Sequence, residues 1–326
     1  MYQENYNQVR LEKGMYHLAN KSFLQALEDA DSSSAYANTP LANLDAYERQ
    51  LKRFDIHVNG ANCDRVEKFF TTTESAVLFP EFVRRAVLQG MEETMLSEIV
   101  AVVSRSESNR YQGCILNDTV AYSTTSAGTE MPVSSIVESN IITTLEKYGR
   151  SVHASYEAIR QQRLDIFALM LRRIGNQLAN SVVSTALQTL KSATGITKIS
   201  VSEDDLSYSN LAVLYGKFKS FSMKALLASP SVMAKILVME QMLETSSENV
   251  TEIRLPFGTK LINCPQLDDN TILGLDTDFA LEQIQSSDII LETDKLIDRQ
   301  LDCIGISVNI GFRTLMTDAV KMITLS

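Results

Sequence analysis

Between Pro132 and Pro230 the chain contains no proline, and within that stretch Leu164, Phe167, Leu171, Ile174, Leu178 and Val182 recur at steps of three and four. That spacing places apolar side chains on one face of an α-helix. Ser155, with Glu157 in the following turn, is a suitable N-cap, and Gly195 supplies a stop. The pattern predicts one helix from Ser155 to Lys191, ~55 Å long at 1.5 Å per residue. A helix of that length exceeds the ordinary globular range and acts as a spine for whatever packs on it. Arg160, Arg163, Arg172 and Arg173 fall mainly off the apolar stripe and are expected on a solvated or ion-paired face.

Upstream, residues 1–70 alternate helical stretches with polar breaks at Asp31-Ser32-Ser33-Ser34 and Asn59-Gly60-Ala61-Asn62. Leu41, Leu44, Leu51 and Phe54 give one stretch an apolar face, so a helical, semi-detached leader is expected. Residues 71–98 read as an extended arm leading into a short helix. In Phe79-Pro80-Glu81-Phe82 the proline biases its predecessor towards an extended backbone and can open a helix. Residues 99–154 carry β-branched and aromatic runs at Ile99–Val103, Tyr111–Leu116, Ile136–Leu145 and Arg150–Ala154, separated by Ser, Asn, Gly and Pro. They predict a long two-stranded excursion. A two-stranded ribbon is marginal by itself in water, so a partner subunit is its natural support.

Downstream the pattern turns α+β, with a helix near Leu206–Phe221, a short strand Ala225–Ala228 and a helix opened by Ser229-Pro230. Further strands are expected near Lys260–Asn263, Ile272–Leu275, Asp288–Leu291, Cys303–Arg313 and Ala319–Leu325. Residues 240–302 hold fourteen Asp/Glu against four Lys/Arg, a local −10 equal to the net charge of the whole 326-residue chain. Such a surface disfavours tight nucleic-acid binding and repels copies of itself unless its charges are paired.

No catalytic, metal or cofactor pattern appears. His17, His57 and His153 are isolated, no Walker, G-x-G-x-x-G or G-x-S-x-G motif occurs, and the acid pairs Glu92-Glu93, Asp204-Asp205 and Asp268-Asp269 are adjacent residues that do not face one another. Cys63, Cys114, Cys264 and Cys303 include no C-x-x-C pair and are expected as buried reduced thiols. No uncharged apolar run reaches the roughly 18 residues that span a bilayer. The first residues lack a secretory signal, so a soluble protein assembled in the cytosol is expected. No enzyme, cofactor, metal or membrane partner is expected.

Five segments, in order, carry a resemblance. They are Gly128-Thr129-Glu130-Met131-Pro132, Lys147–Ile159, Leu226–Met233, Phe257–Ile262, and Ile306–Arg313 followed by Thr317-Asp318-Ala319-Val320. Over residues 70–326 they resemble, respectively, the extended-loop motif, the strand returning to the spine, the strand-to-helix step, a glycine turn and the last strand of tailed-bacteriophage major capsid proteins. Asp318-Ala319 departs from the family's Asp-Pro-x-Ala step by lacking its proline.

The resemblance implies the α+β Hong Kong 97-type fold. Its parts would be a leader (1–70), an arm (71–98), an extended β-hairpin loop (99–154), a peripheral domain with the spine (155–231), an axial domain (232–304), and final strands returning to the peripheral domain (305–326). It further implies pentamers and hexamers forming an icosahedral shell around double-stranded DNA, which is held without sequence-specific contact. Scaffold, portal or decoration proteins are possible partners, and an encapsulin-like nanocompartment shell is the alternative. Phe79, Pro80, Phe82, Tyr111, Glu130, Met131, Pro132, Arg160 and Arg163 are the implied candidates for inter-subunit contacts. Some family members weld the shell through a loop lysine and a neighbour's asparagine. Here no lysine occurs between Lys68 and Lys147, so the shell is expected to be held without covalent bonds.

Overall fold

The computed structural model describes residues 5–18, 21–117, 124–131, 133–243, 252–286, 289–296, 298–299 and 301–326. Its helices are α1 (Phe23–Ala30), α2 (Ala46–Arg53), α3 (Phe79–Glu92), α4 (Leu96–Ile99), α5 (Tyr156–Arg160), α6 (Leu164–Ser192), α7 (Tyr208–Gly216), α8 (Pro230–Leu237) and α9 (Glu240–Leu243). Its strands are β1 (Val102–Arg105), β2 (Arg110–Asn117), β3 (Ser135–Thr144), β4 (Glu146–Ser155), β5 (Thr197–Val201), β6 (Ala225–Ala228), β7 (Lys260–Asn263), β8 (Thr271–Leu275), β9 (Leu281–Gln285), β10 (Ile290–Leu296), β11 (Leu301–Thr314) and β12 (Val320–Leu325). They fall into two compact units. The first comprises Met1–Glu93, Gly149–Leu178 and Ile289–Ser307, and the second Thr94–Tyr148, Ala179–Asp288 and Val308–Ser326.

In the first unit the leader is not semi-detached. Reciprocal capping boxes start α1 (Ser22 with Gln25) and α2 (Asp45 with Glu48), satisfying end donors that short helices otherwise leave to water. Between them lies a buried ion pair. Arg49 Nε donates to Asp31 Oδ2 at 2.6 Å, and Tyr36 donates its hydroxyl to Asp31 Oδ1 at 2.6 Å. The leader is then tied to the arm. The Tyr16 hydroxyl donates to the Val77 carbonyl at 2.7 Å, the Tyr47 hydroxyl to the Leu78 carbonyl at 3.3 Å, and Arg85 pairs with Asp45 at 2.7 Å. Burial raises the Tyr47 phenol pKa well above its ordinary value, so it remains a donor there.

The arm is also more helical than its proline suggests. A 3₁₀ turn, Ser75–Leu78, leads directly into α3, and Phe79 is itself helical at φ −63° and ψ −43°. Pro80 sits in the first turn, where a missing N–H costs nothing. Phe79 and Phe82, expected at a subunit contact, instead fill the core of their own unit against Phe69 and Phe167. Burial of these rings outweighs the extended preference of a residue preceding proline.

The spine is not one helix from Ser155. The predicted cap holds, with Ser155 Oγ accepting from Ala158 N at 3.2 Å, but α5 ends at Arg160 and α6 begins at Leu164. At the break the leader inserts: Val66 N donates to the Gln162 carbonyl and Leu164 N to the Asp64 carbonyl, both at 2.9 Å. Gly195, at φ +95°, follows the helix as expected. Within the first unit α3 and α6 cross backbone to backbone. A Cβ on Gly90 would lie 2.0 Å from the Arg172 carbonyl oxygen, and one on Gly175 would lie 2.1 Å from that of Val87.

In the second unit a sheet runs in the order β5-β12-β8-β6-β7. β12 is parallel to β5 and antiparallel to β8, and β6 is antiparallel to β8 and parallel to β7. Every residue of β6 and β8 is buried, and α7 and α8 supply Leu211, Leu214, Val232 and Ile236 to that core. Ser229 Oγ caps α8 just ahead of Pro230, as the sequence indicated. β12 lies between β5 and β8 in this sheet, and residues 289–307 group with the first unit.

Since both glycines of the crossing face carbonyl oxygens that cannot swing away, Gly175→Ala should destabilise the protein by about 1–3 kcal/mol or more. Gly216→Ala, at a site with open space around it, should be nearly neutral. Paired urea unfolding curves check this, and equal midpoints would refute the close crossing.

Candidate assembly surface

The excursion is a ribbon of β2 and β3, antiparallel, with Ile115 opposite Val137 and Gln112 opposite Ile142. Its side-chain distribution is inverted for a chain in water. Ser139 and Thr143 are buried, while Ile136 is 75 % and Ile141 71 % exposed, with Ile115, Val137 and Ile142 also exposed. Near the turn, Met131 is 77 % and Val133 78 % exposed. So many exposed apolar side chains on one ribbon mark a place another molecule covers. The ribbon begins only at Arg110. β1, expected within it, pairs in parallel with β9 instead.

The root of the ribbon is a buried polar cluster within the second unit. Glu282 on β9 and Arg313 on β11 are directly opposed in the antiparallel register. Arg313 Nε and Nη2 both donate to Glu282 Oε2, at 2.9 and 2.5 Å. The other oxygen, Oε1, accepts from the Tyr111 hydroxyl at 3.0 Å and from Ser104 Oγ at 2.5 Å. Arg313 Nη1 then reaches the ribbon backbone, donating to the Cys114 carbonyl at 3.1 Å. The guanidinium passes over Gly113, where a Cβ would lie 2.2 Å from Arg313 Cζ. Opposite Gly113 the register shifts in a bulge, and Gln112 Nε2 donates to the Ser139 carbonyl at 2.9 Å. One carboxylate with four donors thus joins β1, β2, β9 and β11.

The residues expected at contacts separate into groups. Glu130 and Met131 are exposed beside the ribbon turn, and Pro132 lies outside the described residues. Tyr111 is half-buried and serves the root. Pro80 is half-buried at the helix start, among the buried phenylalanines. Arg160 is exposed over the Phe70 ring at 5.3 Å, and exposed Arg163 pairs with Asp165 at 2.7 Å. Both arginines are on the solvated face, as expected. The spine adds an exposed apolar patch of Ile166, Leu169 and Met170. Missing from the sequence reading are Glu282, Gly113 and the role of Arg313. β9 sets Glu282 and Gln283 between Leu281 and Ile284 and so shows no strand alternation over its five positions, and nothing local pairs an acid with an arginine 31 residues away.

Many of the acidic charges in the second unit are paired. Lys260 Nζ lies 2.9 Å from Glu98 and 3.0 Å from Glu252, and these contacts raise its pKa. Lys224, held by Asp278 and Asp276, is raised likewise. Of the thiols, Cys264 is buried and its pKa is pushed up to about 11, while Cys63 and Cys303 are half-buried and Cys114 is exposed on the ribbon, against expectation. Among the described residues no cluster of His, Cys, Asp or Glu could hold a metal ion, and no helix is long and apolar enough to cross a membrane.

Residues 138–297, from within β3 to the residue after β10, match the model of a family described as phage capsid protein. The chain has the Hong Kong 97-type capsid fold. It is similar to the virus-like particle of Pyrococcus furiosus, at 16 % identity and TM-score 0.56, over 74 % of this chain and 98 % of that one. It is similar to the capsid of cyanophage P-SCSP1u, at 12 % identity and TM-score 0.51, over 71 % and 88 %. It is also similar to the SrpI encapsulin of Synechococcus elongatus PCC 7942, at 12 % identity and TM-score 0.51, over 70 % and 86 %. At these identities the likeness is one of fold. No curated protein matches the sequence.

If the cluster roots the ribbon, Arg313→Met should cost about 3–5 kcal/mol by leaving Glu282 buried without its cation. The double change Arg313→Met with Glu282→Met should recover part of that loss. Urea denaturation checks both, and a single variant as stable as the parent would remove Glu282–Arg313 from its role as anchor.

Proposed function

We propose that this major capsid protein assembles into pentamers and hexamers that close as an icosahedral head shell around double-stranded DNA. The observation that carries the reading is the rooted ribbon with its apolar side chains exposed. Such a ribbon gains stability only by lying on another molecule, and a contact between unlike patches of identical chains propagates into rings. The acidic second unit, with Lys191, Lys224, Lys235, Lys260 and Lys321 engaged by carboxylates, suits an inner wall that touches DNA without gripping it or reading its sequence. Scaffold, portal or decoration proteins and assembly in the host cytoplasm complete the proposal. The family and fold are those of structural proteins, and no catalytic role is proposed.

The absence of lysine from Phe69 through Glu146 leaves the ribbon without a nucleophile for an isopeptide bond, so the contacts are read as non-covalent. Electron microscopy of the expressed chain, with a denaturing gel of the same particles, tests the proposal. Shells built of five- and six-membered rings, dissociating on boiling to one band near 36.3 kDa, are expected. Protein that stays monomeric under every salt and crowding condition would overturn the shell reading. Shells filled with protein cargo and no DNA would transfer it to the encapsulin class.

A further inference from the structure

We infer that Asn59 is a site of spontaneous covalent modification: its side-chain amide closes onto the backbone nitrogen of Gly60, and the ring opens with water to an aspartate or an isoaspartate. The polar break Asn59-Gly60-Ala61-Asn62 has no part in the assembly surface, and Asn59 is the one asparagine of the sequence that a glycine follows. Glycine matters in that position because it has no Cβ beside the attacking nitrogen to obstruct ring closure.

The loop presents both reacting groups to water. Residues 57–64 leave and return at one place, where Asp64 N donates to the His57 carbonyl and His57 N to Asp64 Oδ2, each at 2.8 Å. Asn59 and Gly60 are exposed at the tip. Gly60 lies at φ +89°, and a Cβ built on it would meet nothing within 4 Å. Among the described residues no hydrogen bond holds the Gly60 N–H or the Asn59 carboxamide, so ring closure breaks no contact. Asn62, exposed in the same loop, is the internal contrast. The nitrogen it would need belongs to Cys63, which bears a side chain and donates its N–H to the Gly60 carbonyl at 3.2 Å.

The chemistry balances with water as its only co-reactant and with no change of oxidation state. Gly60 N gives its proton to a solvent base and bonds to Asn59 Cγ. The Cγ–Nδ2 bond breaks, and the nitrogen takes up a proton and leaves as ammonia. Water then opens the cyclic imide at one of its two carbonyls. Attack at Cγ yields aspartate, and attack at the main-chain carbonyl yields isoaspartate, in which the backbone runs through the side chain. Either product adds a negative charge to the loop. Because the change is irreversible, the modified fraction records the age of the molecule. Its accumulation in old particles rests on the shell reading, whereas the reactivity rests on one protomer's loop and is tested without assembly.

The test incubates the full chain in mildly alkaline, amine-free buffer, both folded and in urea, and follows the tryptic peptide Phe54–Arg65, which contains both asparagines, by mass spectrometry. In the folded chain the acid forms should accumulate at Asn59 while Asn62 keeps its amide, and isoaspartate methyltransferase should label the same peptide. The urea sample gives the rate of the unrestrained chain for reference. Asn59→Gln, whose longer side chain needs a larger ring, should abolish the conversion without disturbing an exposed tip, and Gly60→Ala should slow it to the pace of Asn62. Asn59 that stays intact in the folded chain, whether or not it converts in urea, overturns the proposal. Equal conversion of Asn59 and Asn62 in the folded chain, or labelling that survives Asn59→Gln, does the same.

Discussion

A two-stranded ribbon that carries its isoleucines outward is stable only when fixed at one end and covered along its length. The buried Glu282 carboxylate provides the fixed end. Its four donors come from strands distant in sequence, and Arg313 extends the cluster to the ribbon backbone past Gly113. A buried charge pair is weak evidence of net stability, because the desolvation cost offsets most of its attraction. What it enforces is geometry, since removing either partner leaves the other charge stranded. The rest of the ribbon can then present apolar surface without collapsing onto its own subunit.

The first unit meets a different demand with similar means. Its leader is joined to the arm mainly by hydroxyl and guanidinium groups, including Tyr16 to Val77 and Arg85 to Asp45, instead of by one broad apolar face. Its end occupies the gap in the spine, so the segment outside the capsid resemblance sets the course of the helix at its centre. The α3–α6 crossing at Gly90 and Gly175 brings the arm to the spine at backbone contact. Leader, arm and the spine as far as Leu178 therefore belong to one compact unit.

Much of this was legible because it is periodic or local. The apolar face of the spine, its Gly195 stop, the Ser229-Pro230 helix start and the strands of the ribbon all follow from neighbouring residues, and the ordered segments gave the fold. What escaped depends on partners far away in the chain. The spine breaks at Gln162 because Asp64 and Val66 arrive from about 100 residues upstream. Phe79 is helical because Phe69 and Phe167 bury it. The acid–arginine pair at the ribbon root joins two strands, one of which, β9, is too short and too polar on one face to announce itself. Of the contact candidates, Glu130, Met131, Arg160 and Arg163 are exposed, whereas Phe79 and Phe82 are drawn into the core.

Hydrogen–deuterium exchange on free subunits and on assembled particles measures the two halves of this account together. Amides of β2 and β3 should exchange slowly only after assembly, when neighbours cover the ribbon, whereas α1 and α2 should be equally protected in both states because the leader is built into its own unit. Ribbon amides indifferent to assembly, or leader amides that exchange freely in the folded subunit, would contradict it.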